Sequence, residues 1–186
     1  GAVIQWIRDE LGIINNASET EVIAKQVGNN GGIYIVPAFA GLGAPYWNSS
    51  CNGIICGLTR GSNKNHIIRA SLESITYQVN DLLECIKKDT GITVKKLNVD
   101  GGAAKNNFLL QFQSNISNIQ ITRPKNIEST SIGAAILAGI KSKLWSTSKE
   151  AFKNLKIDKQ FEPKIDNKNR KDLISGWKNA VKKCEY

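Results

Sequence analysis

The junction between Val99 and Phe112 carries the residue types best suited to holding a ligand. It reads VDGGAAKNNFLLQF, so that Gly101 and Gly102 follow a short apolar run and Asn106 precedes a stretch with helical spacing. Glycines, which have no Cβ, let a flat ring or a phosphate approach the backbone. An asparagine amide both donates and accepts hydrogen bonds, as the edge of an adenine requires. The same residues also suit a tight turn and a helix N-cap without any ligand.

Other kinds of chemistry find little support in the sequence. Neither GxxxxGK[ST] nor GxGxxG occurs. With His66 as the single histidine, a Ser/His/Asp triad or an imidazole zinc site has almost nothing to be assembled from. Cys51 and Cys56 are the only closely spaced pair among the four cysteines, and their spacing fits neither a zinc knuckle nor a redox pair. We therefore expect free thiols and no metal site in this chain.

Length and composition indicate a globular chain. Its 186 residues, 41% of them apolar, can bury the core of one large domain. No apolar run is long enough to cross a bilayer, and no basic segment followed by an apolar one opens the chain, so we expect a cytoplasmic protein that does not contact a membrane. The chain opens on GAVIQW, which is typical of the inside of a helix, and contains no methionine. We expect it to be part of a longer protein.

The net charge of +9 is unevenly distributed. From Lys141 onward, 13 Lys and Arg stand against 6 Asp and Glu, which accounts for about seven of the nine excess charges. This raises the question of nucleic-acid binding. However, a lysine-rich helix such as 168–183 is typical of a solvated face, and no recognition motif with interleaved aromatic residues is present. We predict no nucleic-acid partner.

Apolar periodicity predicts alternating helices and strands, which is the α/β class. Helices are predicted at 2–12, 17–27, 63–89, 107–116, 131–140, 149–155 and 170–184, and strands at 33–36, 53–59, 96–99 and 119–122. Asn106 or Asn107 is expected to cap the fourth helix, and Ser129 or Thr130 the fifth. Residues 161–163 are interpreted as an irregular link. The long loop 37–53 is expected to be functional, with Tyr46 and Trp47 packing it.

Four segments share a pattern with a known family. They are VPAFAGLGAPYW (36–47), GIICGLTRGSNKNHIIRASLES (53–74), VDGGAAKNNFLLQFQS (99–114) and ESTSIGAAILAG (128–139). Together they resemble the carboxyl-terminal domain of the FGGY carbohydrate kinase family. The second segment satisfies a spaced signature of that family, from Gly53 through His66 to Glu73. Within the family, the GLGAPYW loop favours members that phosphorylate glycerol over the pentulose and gluconate kinases.

The resemblance implies an actin-like ATPase (ribonuclease H-like) fold, in which two related α/β domains, each a mixed sheet flanked by helices, close on ATP. Residues 1–186 would form most of the carboxyl-terminal, nucleotide-binding domain, and the amino-terminal domain would lie outside this chain. The implied reaction is the ATP-dependent phosphorylation of glycerol to glycerol 3-phosphate with Mg²⁺. The implied assembly is a homo-oligomer. Catalytic residues and metal ligands are expected upstream of Gly1, so this chain alone should be inactive.

The resemblance also implies which residues lie near each part of the nucleotide. Gly102 and Asn106 would approach the adenosine, while Gly1 and Gln5 would lie on the opposite side, near the ribose and phosphates. Each pair is a glycine near a helix start with an amide one turn further on, so that both can face one ligand. Asp100 is expected to bind nearby backbone amides rather than to act as a base, and Glu73 is not a catalytic candidate either.

Two alternatives stay open at this point. The chain could belong to another FGGY sugar kinase, of the xylulokinase or gluconokinase type. It could also be a non-catalytic actin-like nucleotide-binding scaffold, since a fold alone does not fix an activity.

Overall fold

Seven helices and five strands are interspersed along residues 1–153 and 155–184, the part of the chain that the computed structural model describes. The helices are α1 (Ala2–Asp9), α2 (Glu19–Lys25), α3 (Lys64–Thr90), α4 (Asn107–Ser117), α5 (Ser129–Lys141), α6 (Ser148–Phe152) and α7 (Asn167–Cys184). The strands are β1 (Tyr34–Val36), β2 (Ile54–Cys56), β3 (Lys96–Asn98), β4 (Gln120–Pro124) and β5 (Ile157–Phe161), and a 3₁₀ helix spans Gly102–Lys105. The predicted α/β class is confirmed. No helix in this part of the chain combines the length and hydropathy needed to span a membrane.

The strands form two small sheets. In the first, β1 pairs antiparallel with β2. In the second, β4 is central: it runs parallel to β3 and antiparallel to β5, so Ile121 lies beside both Leu97 and Phe161. The predicted mixed sheet flanked by helices is therefore present. Strand β5 was missed, because Phe161 is its only buried residue and the other four are exposed, which leaves no apolar alternation to read.

Helix α3 matches its prediction at both ends. Asn63 is the N-cap, and its side chain accepts hydrogen bonds from the backbone amides of Asn65 and His66. The His66 ring accepts in return from the Asn63 backbone amide at 3.3 Å, which completes a capping box. Gly91 closes the helix in the left-handed conformation. His66 is thus accounted for as a structural residue.

The later helices begin elsewhere than predicted. Glu128, not Ser129 or Thr130, is the N-cap residue of α5, and it makes no side-chain cap bond. Helix α6 is capped by Thr147 and ends at Phe152, while residue 154 of its predicted span lies outside the described residues. Helix α7 begins at Asn167, three residues before the predicted start. The first residues of these three helices are mostly polar, so apolar periodicity cannot show where each helix begins.

Aromatic residues join α7 to α3 in the largest core cluster. Trp177 stacks on Tyr77 with the ring centroids 5.3 Å apart, and the ring of Phe112 meets Tyr77 edge-on. The indole nitrogen of Trp177 donates a 2.6 Å hydrogen bond to Asp81 Oδ2, which also accepts from the Tyr46 hydroxyl at 2.8 Å. One carboxylate therefore connects α3, α7 and the loop 37–53 inside this cluster.

The loop 37–53 is held by Tyr46 but not by Trp47. Tyr46 packs against the aromatic core, as predicted. Trp47 is 80% exposed and has a φ of 51°, so the prediction that it packs the loop is wrong. The loop is closed instead by backbone hydrogen bonds in both directions between Leu42 and Asn48. None of the four cysteines forms a disulfide bond, as the sequence indicated.

Helix α5 is covered on one narrow face. Ile136 and Gly139 are its buried residues, and Gly139 packs against the ring of Trp145. Leu137 on the same helix is 71% exposed. Among the described elements, α6 is the principal neighbour of α5. This apolar helix therefore presents much of its surface to solvent.

Replacing Gly57 by alanine is expected to lower the free energy of unfolding by about 2 kcal/mol. Gly57 follows β2 with a φ of +85°, and an added Cβ would lie 2.0 Å from the carbonyl oxygen of Gly32. Urea unfolding of the variant measures the loss. Gly28→Ala is the matched control, because a Cβ there meets no atom within 4 Å. An equal loss for both variants would contradict the steric explanation.

Candidate functional site

One cleft of about 490 Å³ opens between α1, α2, α3 and the amino-terminal end of α4. Its walls combine backbone at two glycines, several polar side chains and an apolar floor from α3. The lining residues are Gly1, Ile4, Gln5, Arg8, Ala17, Ser18, Thr20, Glu21, Leu72, Ile75, Gly102, Ala103, Lys105, Asn106 and Leu109.

All four residues predicted to contact a nucleotide line this cleft. Gly1 and Gln5 belong to the α1 wall, and Gly102 and Asn106 to the facing wall at the start of α4. The two pairs are about a hundred residues apart in sequence, yet they converge on the same space. A cleft of this size, mostly apolar with a few polar groups, is typical of a small-molecule site.

Gly101 and Gly102, at the strand-to-helix junction, differ in whether the backbone requires a glycine. Gly101 has a φ of 78° and a ψ of 178°, a backbone conformation that essentially only glycine adopts. Gly102 begins the 3₁₀ helix, and a Cβ added there would meet no atom within 4 Å. The fold therefore requires glycine at 101 but not at 102. The missing side chain at Gly102 leaves backbone exposed on the wall of the cleft.

Asn106 is a helix cap, as predicted, and its side-chain amide has hydrogen-bonding groups that the cap does not use. Its Oδ1 accepts a 2.9 Å hydrogen bond from the backbone amide of Leu109 at the start of α4. Its Nδ2 donates a 3.1 Å hydrogen bond to the Thr20 hydroxyl. An amide group has two N–H donors and two oxygen lone pairs. One N–H and one lone pair of Asn106 therefore remain for a ligand in the cleft.

Sequence reasoning missed the contribution of α2. Thr20 lies in the first turn of that helix and on the cleft wall. The neighbouring Glu21 accepts from the backbone amide of Asn107 at 2.8 Å and also from its side chain. Burial alone would raise the pKa of Glu21, but the hydrogen bonds from Lys25 and Asn107 outweigh it and lower the pKa. These contacts join residues 86 positions apart, so no local sequence pattern predicts them.

Two cationic side chains, also missed, complete the rim of the cleft. Arg8 lies one turn beyond Gln5 on α1 and pairs with Asp9 at 2.6 Å, and Lys105 ends the 3₁₀ helix. Their charge suits an anionic group in the cleft.

Arg123 of β4 binds the 3₁₀ helix and the start of α4. Its Nη1 donates to the carbonyl oxygen of Ala104 at 2.8 Å, and its Nη2 donates to the Asn107 side chain at 3.1 Å. The guanidinium also pairs with Asp158 of β5. These bonds link the mixed sheet to the 3₁₀ helix at Ala104 and to the start of α4 at Asn107.

The two carboxylates already set aside lie outside the cleft lining. Glu73 is 2% exposed, pairs with Arg69 at 2.7 Å and accepts from Asn30 Nδ2 at 2.9 Å. Burial raises its pKa to about 7, against the opposing effects of Arg69 and Asn30. Asp100 is exposed and, within the described residues, makes no hydrogen bond, so the expectation that it binds nearby amides was wrong. No group of three or more His, Cys, Asp or Glu residues in the described ranges is arranged to hold a metal ion.

Comparisons with known proteins agree with this architecture. Residues 1–142 match the FGGY family of carbohydrate kinases, C-terminal domain. The chain is 51% identical over 181 residues to a glycerol kinase of Shewanella piezotolerans, an alignment that covers 97% of this chain and 37% of that protein. It superposes with a TM-score of 0.89 and 36% identity on the crystal structure of Plasmodium falciparum glycerol kinase with ADP, covering 98% of this chain and 36% of the other.

A third comparison bears on the fold alone. The ligand-bound xylulose kinase of Lactobacillus acidophilus superposes with a TM-score of 0.75 at 24% identity, covering 98% of this chain and 36% of that one. The actin-like ATPase fold of these kinases is thus the fold of this chain. The chain spans a little over a third, 37%, of the length of the curated relatives it matches.

Proposed function

Because this chain belongs to the FGGY family of carbohydrate kinases, we propose that it supplies the adenosine side of the ATP site in an enzyme that phosphorylates glycerol to glycerol 3-phosphate. The observation that carries the proposal is the convergence of two glycine and amide pairs, Gly1 with Gln5 and Gly102 with Asn106, on one cleft.

Each wall of the cleft has a distinct task in this proposal. Because Gly102 has no side chain, the adenosine can approach its backbone. The remaining N–H and lone pair of Asn106 then form hydrogen bonds with an acceptor and a donor on the edge of the base. On the opposite wall, Gly1 and Gln5 lie near the ribose and phosphates. Arg8 adds positive charge on that side. Fixed donors and charges of this kind position ATP for in-line transfer, since phosphoryl transfer depends mainly on positioning and electrostatics.

The remaining machinery is proposed to lie elsewhere in a longer protein. Residues 1–186 form most of its carboxyl-terminal, nucleotide-binding domain, and an amino-terminal domain brings the base for the glycerol hydroxyl and the Mg²⁺ ligands. Mg²⁺ bound with ATP neutralises charge on the phosphates. The present chain alone is expected to be inactive. Four cysteines without a disulfide bond agree with a reducing compartment such as the cytoplasm. Homo-oligomerisation stays a prediction.

Glycerol is favoured over other polyols as the acceptor. The GLGAPYW loop and the 51% identity to a glycerol kinase of Shewanella piezotolerans support this choice. The test is ATP-dependent phosphorylation by the longer protein of glycerol, xylulose and gluconate in parallel. Preferred turnover of xylulose or gluconate would establish another sugar kinase. Activity on none of the three would support a non-catalytic scaffold.

Replacing Asn106 by aspartate in the longer protein is expected to raise the KM for ATP about tenfold, equivalent to roughly 1.4 kcal/mol, and to leave the KM for glycerol nearly unchanged. Aspartate still caps α4, but it cannot donate to a base or to Thr20, and it adds negative charge to the cleft. Steady-state kinetics with each substrate varied in turn measure both constants. Asn118→Asp, which adds the same charge at the exposed far end of α4, is the control. An equal rise in both constants would contradict the assignment.

A further inference from the structure

We propose that Thr20 is a positioning residue for the nucleotide cleft, because its hydroxyl fixes the amide of Asn106 before a nucleotide binds. This inference rests on the proposed nucleotide site. Thr20 acts through Asn106, so its contribution is to the orientation of a binding group.

Every proton in this contact can be assigned from its partners. Asn106 Oδ1 faces the backbone N–H of Leu109 and must accept from it, so the group that faces Thr20 is Nδ2. The Thr20 hydroxyl donates at 2.6 Å to the carbonyl oxygen of Ala17. Its oxygen therefore accepts from Asn106, and the two hydrogen bonds run in one direction. This chain of bonds leaves the amide a single orientation.

Thr20 is itself held firmly. Its side chain is 1% exposed, so water cannot easily replace either hydrogen-bond partner. Next to it, Glu21 binds both the backbone and the side chain of Asn107. At the other end of α2, the Arg69 guanidinium donates to the carbonyl oxygen of Val27. Helix α2 is therefore tied to α4 at its start and to α3 beyond its end.

The result is a preorganised amide. The free N–H and lone pair of Asn106 occupy fixed positions at the cleft wall, so a nucleotide does not have to order them on binding. Rigidity of this kind improves affinity by lowering the entropic cost of association. Without the Thr20 hydroxyl, Asn106 keeps its cap on α4, but one N–H loses its partner and the amide plane loses one of its two anchors.

The experiment removes and restores the hydroxyl in the full-length protein. Thr20→Val keeps the shape of the side chain and is expected to weaken ADP binding and raise the KM for ATP about fivefold, as the loss of one neutral hydrogen bond predicts. The KM for glycerol should not change. Thr20→Ser restores the hydroxyl and should recover most of the affinity. Thr20→Ala removes the hydroxyl and puts no methyl group in its place. It therefore tests the inference even if Thr20→Val does not fold.

Thr76→Val is the matched control. It makes the same change at an equally buried helical threonine, whose hydroxyl donates to the carbonyl oxygen of Glu73 within α3. A loss of stability without a specific role at the cleft would affect this variant similarly. We expect its ADP affinity to equal that of the wild type.

The possible results separate this inference from the proposed function. If the wild-type protein does not bind ADP, the proposed nucleotide site is wrong and the role of Thr20 fails with it. If the wild type binds ADP and the valine and alanine variants bind it equally well, only the role of Thr20 is overturned. A serine variant as weak as the valine variant, or a parallel rise in the KM for glycerol, would overturn it as well.

Discussion

Trp177→Ala is expected to lower the free energy of unfolding by about 4 kcal/mol, the range found when a large buried aromatic side chain is truncated. Trp177 is 1% exposed, and its ring stacks on Tyr77. Alanine would leave a cavity between α7 and α3 and would remove the indole donor from Asp81. A loss of this size is a large fraction of the stability of a single domain.

Comparison with Trp177→Phe separates packing from hydrogen bonding. Phenylalanine keeps an aromatic ring against Tyr77 but cannot donate to Asp81, which would keep its bond from Tyr46. Burial raises the pKa of Asp81, while the bonds from Trp177 and Tyr46 counteract the effect. Urea unfolding of both variants gives the two losses, and the smaller loss should belong to phenylalanine. A loss below about 1 kcal/mol for alanine would contradict the assigned role of this core.

The second large effect concerns pH and Glu73. We expect the free energy of unfolding to fall by about 2.5 kcal/mol between pH 5 and pH 8 through this one carboxyl. Its pKa is near 4.5, the ordinary value for a glutamate, in the unfolded chain and is raised to about 7 by burial in the fold. Between these values the folded protein binds more protons than the unfolded chain, so stability falls as the pH rises. Below about pH 4 both states are protonated and the contribution no longer changes.

Glu73→Gln isolates this contribution. Glutamine has nearly the same shape and can still accept from Arg69 or Asn30, but it does not titrate. Loss of the ion pair with Arg69 should destabilise the variant above about pH 7, where Glu73 is ionised. Its stability should nevertheless depend less on pH than that of the wild type. Tyr34 and Tyr77, whose pKa values are raised by burial, titrate above this range. Urea unfolding at four pH values from 5 to 8 measures both slopes. Parallel slopes would contradict a raised pKa at Glu73.

What the sequence predicts well here is local. The cap, apolar stripe and terminal glycine of α3 are all encoded within one stretch, and the structure follows them from Lys64 to Thr90. The N-cap role of Asn106 is equally local and is confirmed. Strand β5 could not be predicted in this way, because it is stabilised by pairing with β4 and not by an apolar pattern of its own.

In the cleft, too, the features encoded locally were predictable and the contacts between distant residues were not. The proposed roles of Gly102 and Asn106 followed from a strand-to-helix junction and a family resemblance, and the structure adds the open space beside Gly102. Thr20 and Arg123 have no such signal, since Thr20 contacts Asn106 across 86 residues and Arg123 contacts Ala104 across 19 residues. Side chains that support a site from a distance in sequence become visible only when the chain is folded.

The sparse covering of α5 has a consequence for the motions of the molecule. A helix with few buried contacts opens with a lower free energy than the central helices, so its backbone amides should exchange hydrogen with solvent well before those of α3. The segment that joins α5 to the cleft begins near Ile127, whose carbonyl oxygen accepts from the backbone amide of Gly101. Opening of α5 beyond that bond would leave the wall formed by Gly102 and Asn106 in place, so we expect α5 to open locally while the cleft keeps its shape.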